Sequence, residues 1–170
     1  MEKQETAKWK CKYRLEKRDG DINACETPEE RLKFLEETVP YEVIEGEGNL
    51  MLNEGIDEIW DLVTGVGGTV YSNANARIGV GNSNTAADAT QTGLLGGSTA
   101  FKAMESGFPT STTQKVTFKS SFGDAEANFA WEEWTVDNGS TPDKNLNRKV
   151  ESLGTKSTGT WSLEVSITLS

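Results

Sequence analysis

The sequence contains no histidine. This absence excludes Ser-His-Asp and Cys-His nucleophilic catalysis, and it removes the side chain that most often ligates metal ions in proteins. Only two cysteines are present, Cys11 and Cys25, and their spacing matches no zinc motif. Cys11 falls in the apolar row of a predicted strand, which favours a reduced core thiol, with a Cys11–Cys25 disulfide as the alternative. We therefore predict no catalytic residue, no cofactor and no metal site.

Long apolar runs and an excess of positive charge are also absent. No run approaches the roughly 20 residues that a membrane-spanning helix requires, and residues 1–6 lack the apolar core of a signal peptide. The 27 acidic residues outnumber the 17 basic ones and give a formal charge of −10, which argues against nucleic acid as a partner. The composition predicts a soluble protein made in the cytoplasm that contacts neither membrane nor nucleic acid.

The basic residues that do occur are concentrated near the start of the chain. They are Lys8, Lys10, Lys12, Arg14, Lys17 and Arg18. One interpretation is the solvated face of a strand, and the other is a contact surface for an acidic partner. The sequence leaves both interpretations open.

Apolar and polar residues alternate in several stretches, most clearly between residues 161 and 169. Because successive side chains of a strand point to opposite faces, this stretch predicts a strand with one buried row. Further candidate strands lie at residues 8–16, 41–45, 75–81, 115–119, 127–136 and 146–150, the last of them at a sheet edge. The sequence predicts a mainly β fold, an antiparallel, jelly-roll-like two-sheet β-sandwich with one or two short helices, in one domain over residues 8–170.

Two segments have the features of helices. Thr27 can cap a helix that begins at Pro28, and Glu30 can complete a capping box. A second helix is predicted near residues 50–64, where apolar and acidic residues recur with helical spacing. We expect its apolar side to cover one end of the sandwich. That side is formed by Leu52, Ile56, Ile59, Trp60 and Val63, and the opposite, acidic side by Glu54, Asp57, Glu58 and Asp61.

Two other segments lack a clear pattern. Residues 1–7 predict a flexible N-terminal tail. Residues 82–112, which are rich in Gly, Ser, Thr and Ala, predict a long loop. A loop of that length in a compact domain is either functional or disordered, so this segment is a candidate for binding.

One pair of adjacent carboxylates, Glu132 and Glu133, lies between Trp131 and Trp134 and superficially resembles a sugar-cleaving site. Adjacent strand residues point to opposite faces, so the two carboxylates converge only if a bulge turns them. A bulge is predicted here, because Trp131 and Trp134 have opposite parity on the strand. The alternative that we favour is a pair of core tryptophans with flanking solvated acids.

The segment Asp19-Gly-Asp-Ile-Asn23 resembles the start of a calcium-binding loop, and Glu30 falls at its twelfth position. Ala24, however, occupies the sixth position, where such a loop needs glycine, and a strand leads into the segment instead of a helix. We therefore predict a hairpin turn at Asp19 and Gly20.

The tryptophans allow one binding hypothesis. Trp9, Trp131 and Trp161 lie on apolar rows and are predicted to be core residues. Trp134 and Tyr71 could instead form an exposed platform for carbohydrate. Residues 138–140 match the glycosylation pattern, but nothing in the sequence indicates secretion.

Three segments resemble virion proteins of tailed bacteriophages. Residues 75–94 read NARIGVGNSNTAADATQTGL, a strand ending in IGVG that leads into a Ser/Thr/Ala loop closing on TGL. Residues 127–134 (ANFAWEEW) and 146–155 (LNRKVESLGT) are similar to the same group, in the same order. The resemblance implies a non-enzymatic structural component of a virion, with no catalytic residue to transfer.

Within that class we expect a decoration or cement protein on the capsid exterior, because a negative surface suits the outside of a shell better than the side that faces packaged DNA. The alternatives are a tail-tip, baseplate or fibre-associated subunit, a carbohydrate-binding β-sandwich module and, last, a glycosidase-like enzyme. The expected partners are the major capsid protein or tail subunits, and further copies of this chain in a symmetric oligomer. Residues 1–7 and 82–112 are the segments expected to make these contacts.

Overall fold

The computed structural model describes residues 8–170, so the tail predicted at residues 1–7 lies outside the described part. In chain order the elements are β1 (Trp9–Arg18), α1 (Pro28–Glu37), β2 (Glu42–Glu47), β3 (Leu50–Met51), α2 (Asn53–Thr64), β4 (Arg77–Gly81), β5 (Thr99–Ala103), β6 (Thr110–Thr112), β7 (Lys115–Phe122), β8 (Ala130–Asp137), β9 (Asn147–Thr155) and β10 (Thr160–Leu169). Sheet A has the order β2-β1-β10-β7-β6 and sheet B the order β3-β9-β8-β4-β5. The predicted mainly β, antiparallel two-sheet sandwich with short helices is confirmed.

Strand β10 lies at the centre of sheet A, between β1 and β7. Val165 stands opposite Tyr13 on β1 and Phe118 on β7, and all three side chains are buried. The buried row that the alternation predicts for this strand is confirmed up to its last member. Leu169 is 54% exposed because the strand ends there, beyond the cover of the second sheet.

The inner face of sheet B supplies the other half of the core. Trp131, Trp134 and Val136 are fully buried in one cluster, although the two tryptophans have opposite parity. The pairing of β8 with β9 shifts register between Trp131 and Glu133, which confirms the predicted bulge. The shift lets both tryptophans reach the core, where the Trp134 ring centroid lies 5.5 Å from that of Tyr13.

The region predicted as a long loop, residues 82–112, contains two short strands. β5 is the edge strand of sheet B and β6 is the edge strand of sheet A. An edge strand pairs on one side only, so it needs less of the apolar pattern that identifies a central strand. The long irregular segment is therefore confined to residues 82–98.

Two further predictions are wrong. No hairpin forms at Asp19 and Gly20, because a 3-10 turn at Ile22–Ala24 and helix α1 follow before β2 returns to pair with β1. Strand β9, expected at a sheet edge, lies between β3 and β8. β3 is only two residues long, too short for its pairing to be visible in the sequence.

Helix α1 has the predicted capping box. Thr27 Oγ1 accepts the backbone N–H of Glu30 at 3.1 Å, and the Glu30 carboxylate accepts the backbone N–H of Thr27 at 3.2 Å. No residue of α1 is buried. Arg31 holds the helix to the sandwich through an ion pair with Glu105, with 2.6 Å between Nη2 and Oε1.

Strand β2 forms the second edge of sheet A and is strongly acidic. Glu42, Glu45 and Glu47 are exposed along its six residues. Two of them pair with cations of the neighbouring strand, Glu42 with Lys17 and Glu45 with Arg14. The edge of the sheet thus presents carboxylates to solvent.

Candidate functional site

Glu133 on β8 and Arg148 on β9 form an ion pair that is completely buried. Arg148 Nε donates to Glu133 Oε2 at 2.7 Å, and Arg148 Nη2 lies 2.6 Å from the same oxygen. Because Trp134 points into the core, the preceding Glu133 points to the outer face of sheet B. Two charges enclosed in this way depend on each other, since removing either one leaves its partner uncompensated.

The loop at residues 82–98 covers this pair and is bound to both of its members. The backbone N–H groups of Leu95 and Gly96 donate to Glu133 Oε1 at 3.1 Å and 2.7 Å. Arg148 Nη1 donates to the carbonyl oxygen of Thr85 at 3.0 Å. The segment considered for binding is therefore fastened to sheet B by buried charges.

The carboxylates of Glu132 and Glu133 do not converge. Glu132 accepts a hydrogen bond from the Ser152 hydroxyl at 2.9 Å, whereas Glu133 binds Arg148. The expectation that both acids are solvated is wrong for Glu133, which is 0% exposed. Its carboxylate is taken up by Arg148 and by the backbone N–H groups of the loop that covers it.

The carbohydrate platform considered as an alternative for Trp134 and Tyr71 is not formed. Trp134 is completely buried against Tyr13 and cannot reach a glycan. The Tyr71 hydroxyl donates to the carbonyl oxygen of Lys144 at 3.0 Å, and burial raises the pKa of Tyr71 above its ordinary value. The bulge predicted from the opposite parity of Trp131 and Trp134 explains why the platform is absent, because the bulge turns Trp134 into the core.

The remaining tryptophan and cysteine predictions concern the core. Trp131 and Trp161 are buried with ring centroids 4.9 Å apart, and the partly buried Trp9 donates from Nε1 to Asn49 Oδ1 at 2.8 Å. Cys11 and Cys25 are both free thiols. Burial raises the pKa of the Cys11 thiol to about 12, so it stays protonated and unreactive.

The segment that resembles a calcium loop is occupied by hydrogen bonds within the protein. Asp21 Oδ1 accepts the backbone N–H groups of Asn23 at 3.0 Å and Asp124 at 2.9 Å. The positive charge near Asp21 and Asp124 is the buried ammonium of Lys156. This group donates to the carbonyl oxygen of Gly123 at 2.7 Å and to Asn128 Oδ1 at 3.0 Å. Burial lowers the pKa of Lys156, and the charge of Asp124 opposes that effect.

Asp137, at the end of β8, is a second buried carboxylate on the outer face of sheet B. Arg77 Nε donates to its Oδ1 at 3.0 Å, and Asp143 lies nearby. Burial raises the pKa of Asp137 to about 6, and the Arg77 guanidinium works against that rise. Asp137 therefore titrates well above an ordinary aspartate.

Helix α2 packs on the sandwich with a face other than the one predicted. Glu58, expected in solvent, is buried and accepts the backbone N–H of Thr69 and a hydrogen bond from Asn138 Nδ2 at 2.8 Å. A Cβ at Gly55 would lie 2.7 Å from Leu146 Cα, so only glycine permits this approach. The buried Asn138 is also closed to glycosylation. Polar bonds and one glycine set the orientation of α2.

This orientation leaves large apolar side chains on the solvent side of α2. Ile56, Trp60 and Val63 are 37%, 61% and 68% exposed. Residues four and three positions apart lie on one side of a helix, so the three form a continuous row, called here the α2 stripe. The prediction that they cover the sandwich is wrong, whereas Leu52 is buried as predicted.

The stripe was missed because the buried side of α2 does not coincide with the apolar side that the spacing identifies. Leu52 is buried and Ile59 packs against the core cluster. The buried side is centred near Gly55 and Glu58, however, so the far edge of the apolar side, the α2 stripe, is left in solvent. Periodicity identifies the apolar side of a helix but does not show how much of it is covered. The signal that could have decided it is Gly55, since glycine inside a helix often marks a close contact.

A cleft of about 450 Å³ lies between α1 and the outer face of sheet A. Leu32, Leu35 and Phe108 supply its apolar lining. Its two basic residues are both paired: Arg18 Nη2 lies 2.5 Å from Glu16 Oε2, and Lys119 Nζ lies 3.6 Å from Glu164 Oε2. The cleft therefore combines an apolar lining with charged residues of both signs.

The described residues carry no grouping of three or more Cys, Asp or Glu side chains that could hold a metal ion. None of the helices in this part of the chain is long and apolar enough to cross a membrane. Comparison of the chain with protein-family models, with curated proteins and with solved structures gives no match.

Proposed function

We propose that this chain is a non-enzymatic structural component of a tailed-bacteriophage virion, a decoration or cement protein on the capsid exterior. The observation that carries the proposal is the α2 stripe. Trp60 is 61% exposed on a helix that is anchored to the sandwich, with Ile56 and Val63 beside it. Large exposed apolar groups in a row mark a surface that another protein covers.

The buried charges support a scaffolding role. Glu133, Arg148 and Lys156 are enclosed, and each binds backbone groups of a loop or turn. Such bonds stiffen segments that would otherwise move, and a rigid subunit loses little conformational entropy when it assembles. The role of these three side chains is therefore structural: they hold loops and turns in fixed positions.

The charge of the chain supports a place on the outside of the shell. A formal charge of −10 is repelled by packaged DNA and keeps an exterior surface solvated. The three segments that resemble virion proteins map to β4 with the loop that follows it, to β8 with the turn before it, and to β9. The proposed partners are the major capsid protein and further copies of this chain, and a tail-tip or baseplate position is the alternative.

Gold-labelled antibody against the purified protein, applied to intact particles, tests this function. Label on the head is the expected result, and particles from a phage deleted for the gene are the control. Label on the tail alone would favour the tail-tip alternative. No label on intact particles, and no band for the protein in disrupted ones, would overturn the virion role.

A further inference from the structure

We propose that the α2 stripe docks onto the outer face of sheet A in a second copy of this chain. The inference rests on the assembly role proposed above, and it names the surface and the partner. Two surfaces of the same molecule carry it: an apolar row with acidic flanks, and a basic area without exposed apolar side chains between its lysines.

The first surface is the α2 stripe with its acidic flanks. Helix α2 contains no lysine or arginine, and the exposed Asp57 lies between Ile56 and Trp60 along the helix. Asp61 follows Trp60, and the negative end of the helix dipole adds to the same charge. Two α2 helices facing each other would bring these carboxylates together, so a symmetric α2–α2 contact is disfavoured.

The second surface is formed by Lys10, Lys12 and Lys115, called here the basic patch. All three are exposed. Lys10 and Lys115 stand on either side of Thr168, and Lys12 is opposite Ser166, so small side chains separate the lysines. Within residues 8–170 no carboxylate lies at ion-pair distance from them. The basic patch thus presents three exposed lysines that are not in ion pairs within the described residues, with Glu47 of β2 opposite Lys12 at its edge.

A tryptophan can bind such a patch through its ring. Lysine stems pack against aromatic surface, and the ammonium is attracted to the ring face. The chain already contains this contact, since Lys17 Nζ lies 4.2 Å from the centroid of the Trp161 ring.

The stripe and the patch lie on different elements, so the contact joins unlike surfaces of two copies. Contacts of this kind produce a closed ring when the rotation between copies completes a circle. We also expect the association to weaken as the salt concentration rises, because its charged groups are exposed and salt screens their attraction.

The test is the mass of the purified full chain, measured by sedimentation equilibrium over a range of concentrations and salt. We expect the wild type to self-associate more strongly at low salt. Trp60→Ser should weaken association on the order of tenfold to a hundredfold. Val39→Ser is the matched control, because Val39 is 83% exposed but lies outside α2. Circular dichroism and thermal melting would verify that each variant is folded.

Charge reversal tests the pairing itself. Changing Asp57 and Asp61 to Lys, or Lys10, Lys12 and Lys115 to Glu, should each abolish association, because like charges then meet. The variant that carries both sets should associate again. A monomeric wild type, a Trp60→Ser variant that associates like the wild type, or a combined variant without recovery would each overturn the inference. A monomeric protein that still labels phage heads would leave the virion role intact, and an oligomer absent from particles would do the reverse.

Discussion

The guanidinium of Arg148 binds the carboxylate of Glu133 from the adjacent strand, and both side chains are 0% exposed. The two residues are held by opposite ends of the loop that covers them, near residues 85 and 95. One buried pair therefore fixes both the register of two strands and the course of a long segment.

We expect Arg148→Met to lower the free energy of unfolding by about 3–5 kcal/mol, because Glu133 is then a buried charge without its cation. The double variant Glu133→Gln/Arg148→Met should lose less than the sum of the two single changes. Urea unfolding of the four proteins measures these differences. Single variants within about 1 kcal/mol of the wild type would show that the pair contributes little.

Substitution of Gly81 would test how closely the chain packs around the Glu133 carboxylate. A Cβ at Gly81 would lie 2.4 Å from Glu133 Oε1, so Gly81→Ala must displace the acid or the strand. We expect a loss of about 1–3 kcal/mol and faster hydrogen exchange at the amides of Leu95 and Gly96. Gly97→Ala is the control, because nothing lies within 4 Å of its Cβ position. Equal stability of the two variants would contradict the expected crowding.

Lys156→Met should be destabilising by about 1–3 kcal/mol, because it leaves the carbonyl oxygen of Gly123 and the Asn128 side chain without their donor. Lys33→Met is the control, since the Lys33 side chain is 69% exposed. Thermal and urea unfolding give the comparison. If both lysine variants match the wild type, the buried ammonium is not required by the turn at residues 123–128.

Asp137 predicts an unusual dependence of stability on pH. Its pKa is about 6 in the folded chain because of burial, against about 4 when unfolded. The folded state therefore holds an extra proton between pH 4 and 6, so this group stabilises the fold below about pH 4, and the contribution is lost as the pH rises to 6. Asp137→Asn removes the effect.

Urea unfolding of the wild type and Asp137→Asn at several values between pH 4 and 7 tests this sign. The stability of the variant relative to the wild type should rise with pH, by at most about 3 kcal/mol over the range. A constant difference would show that Asp137 does not titrate there. A relative decline would show that Arg77 outweighs burial and holds the pKa low.

The core of this fold can be predicted from the sequence because strand alternation is a local property. The row that ends at Leu169 and the bulge between Trp131 and Trp134 both follow from counting every second residue. Capping is equally local, and the box of Thr27 and Glu30 forms as predicted. In each case the residues that determine the structure are close together in the chain.

The candidate site could not be predicted, because it depends on residues far apart in the sequence. Glu58 is buried only because Thr69 and Asn138 meet it there, and that contact turns the α2 stripe to solvent. The pairing of Glu133 with Arg148 similarly requires the register of β8 against β9. A helical period identifies which residues share a side, while distant hydrogen-bond partners select the side that is covered.

The carboxylates along β2 have a consequence for how copies of this molecule can grow into larger structures. A bare sheet margin invites another strand to extend the sheet, which leads to fibrous aggregates. A β2 strand added from a second copy would bring further carboxylates to this acidic edge, so strand addition here is disfavoured. Copies of this chain are therefore expected to meet through other surfaces, and not by extension of sheet A at β2.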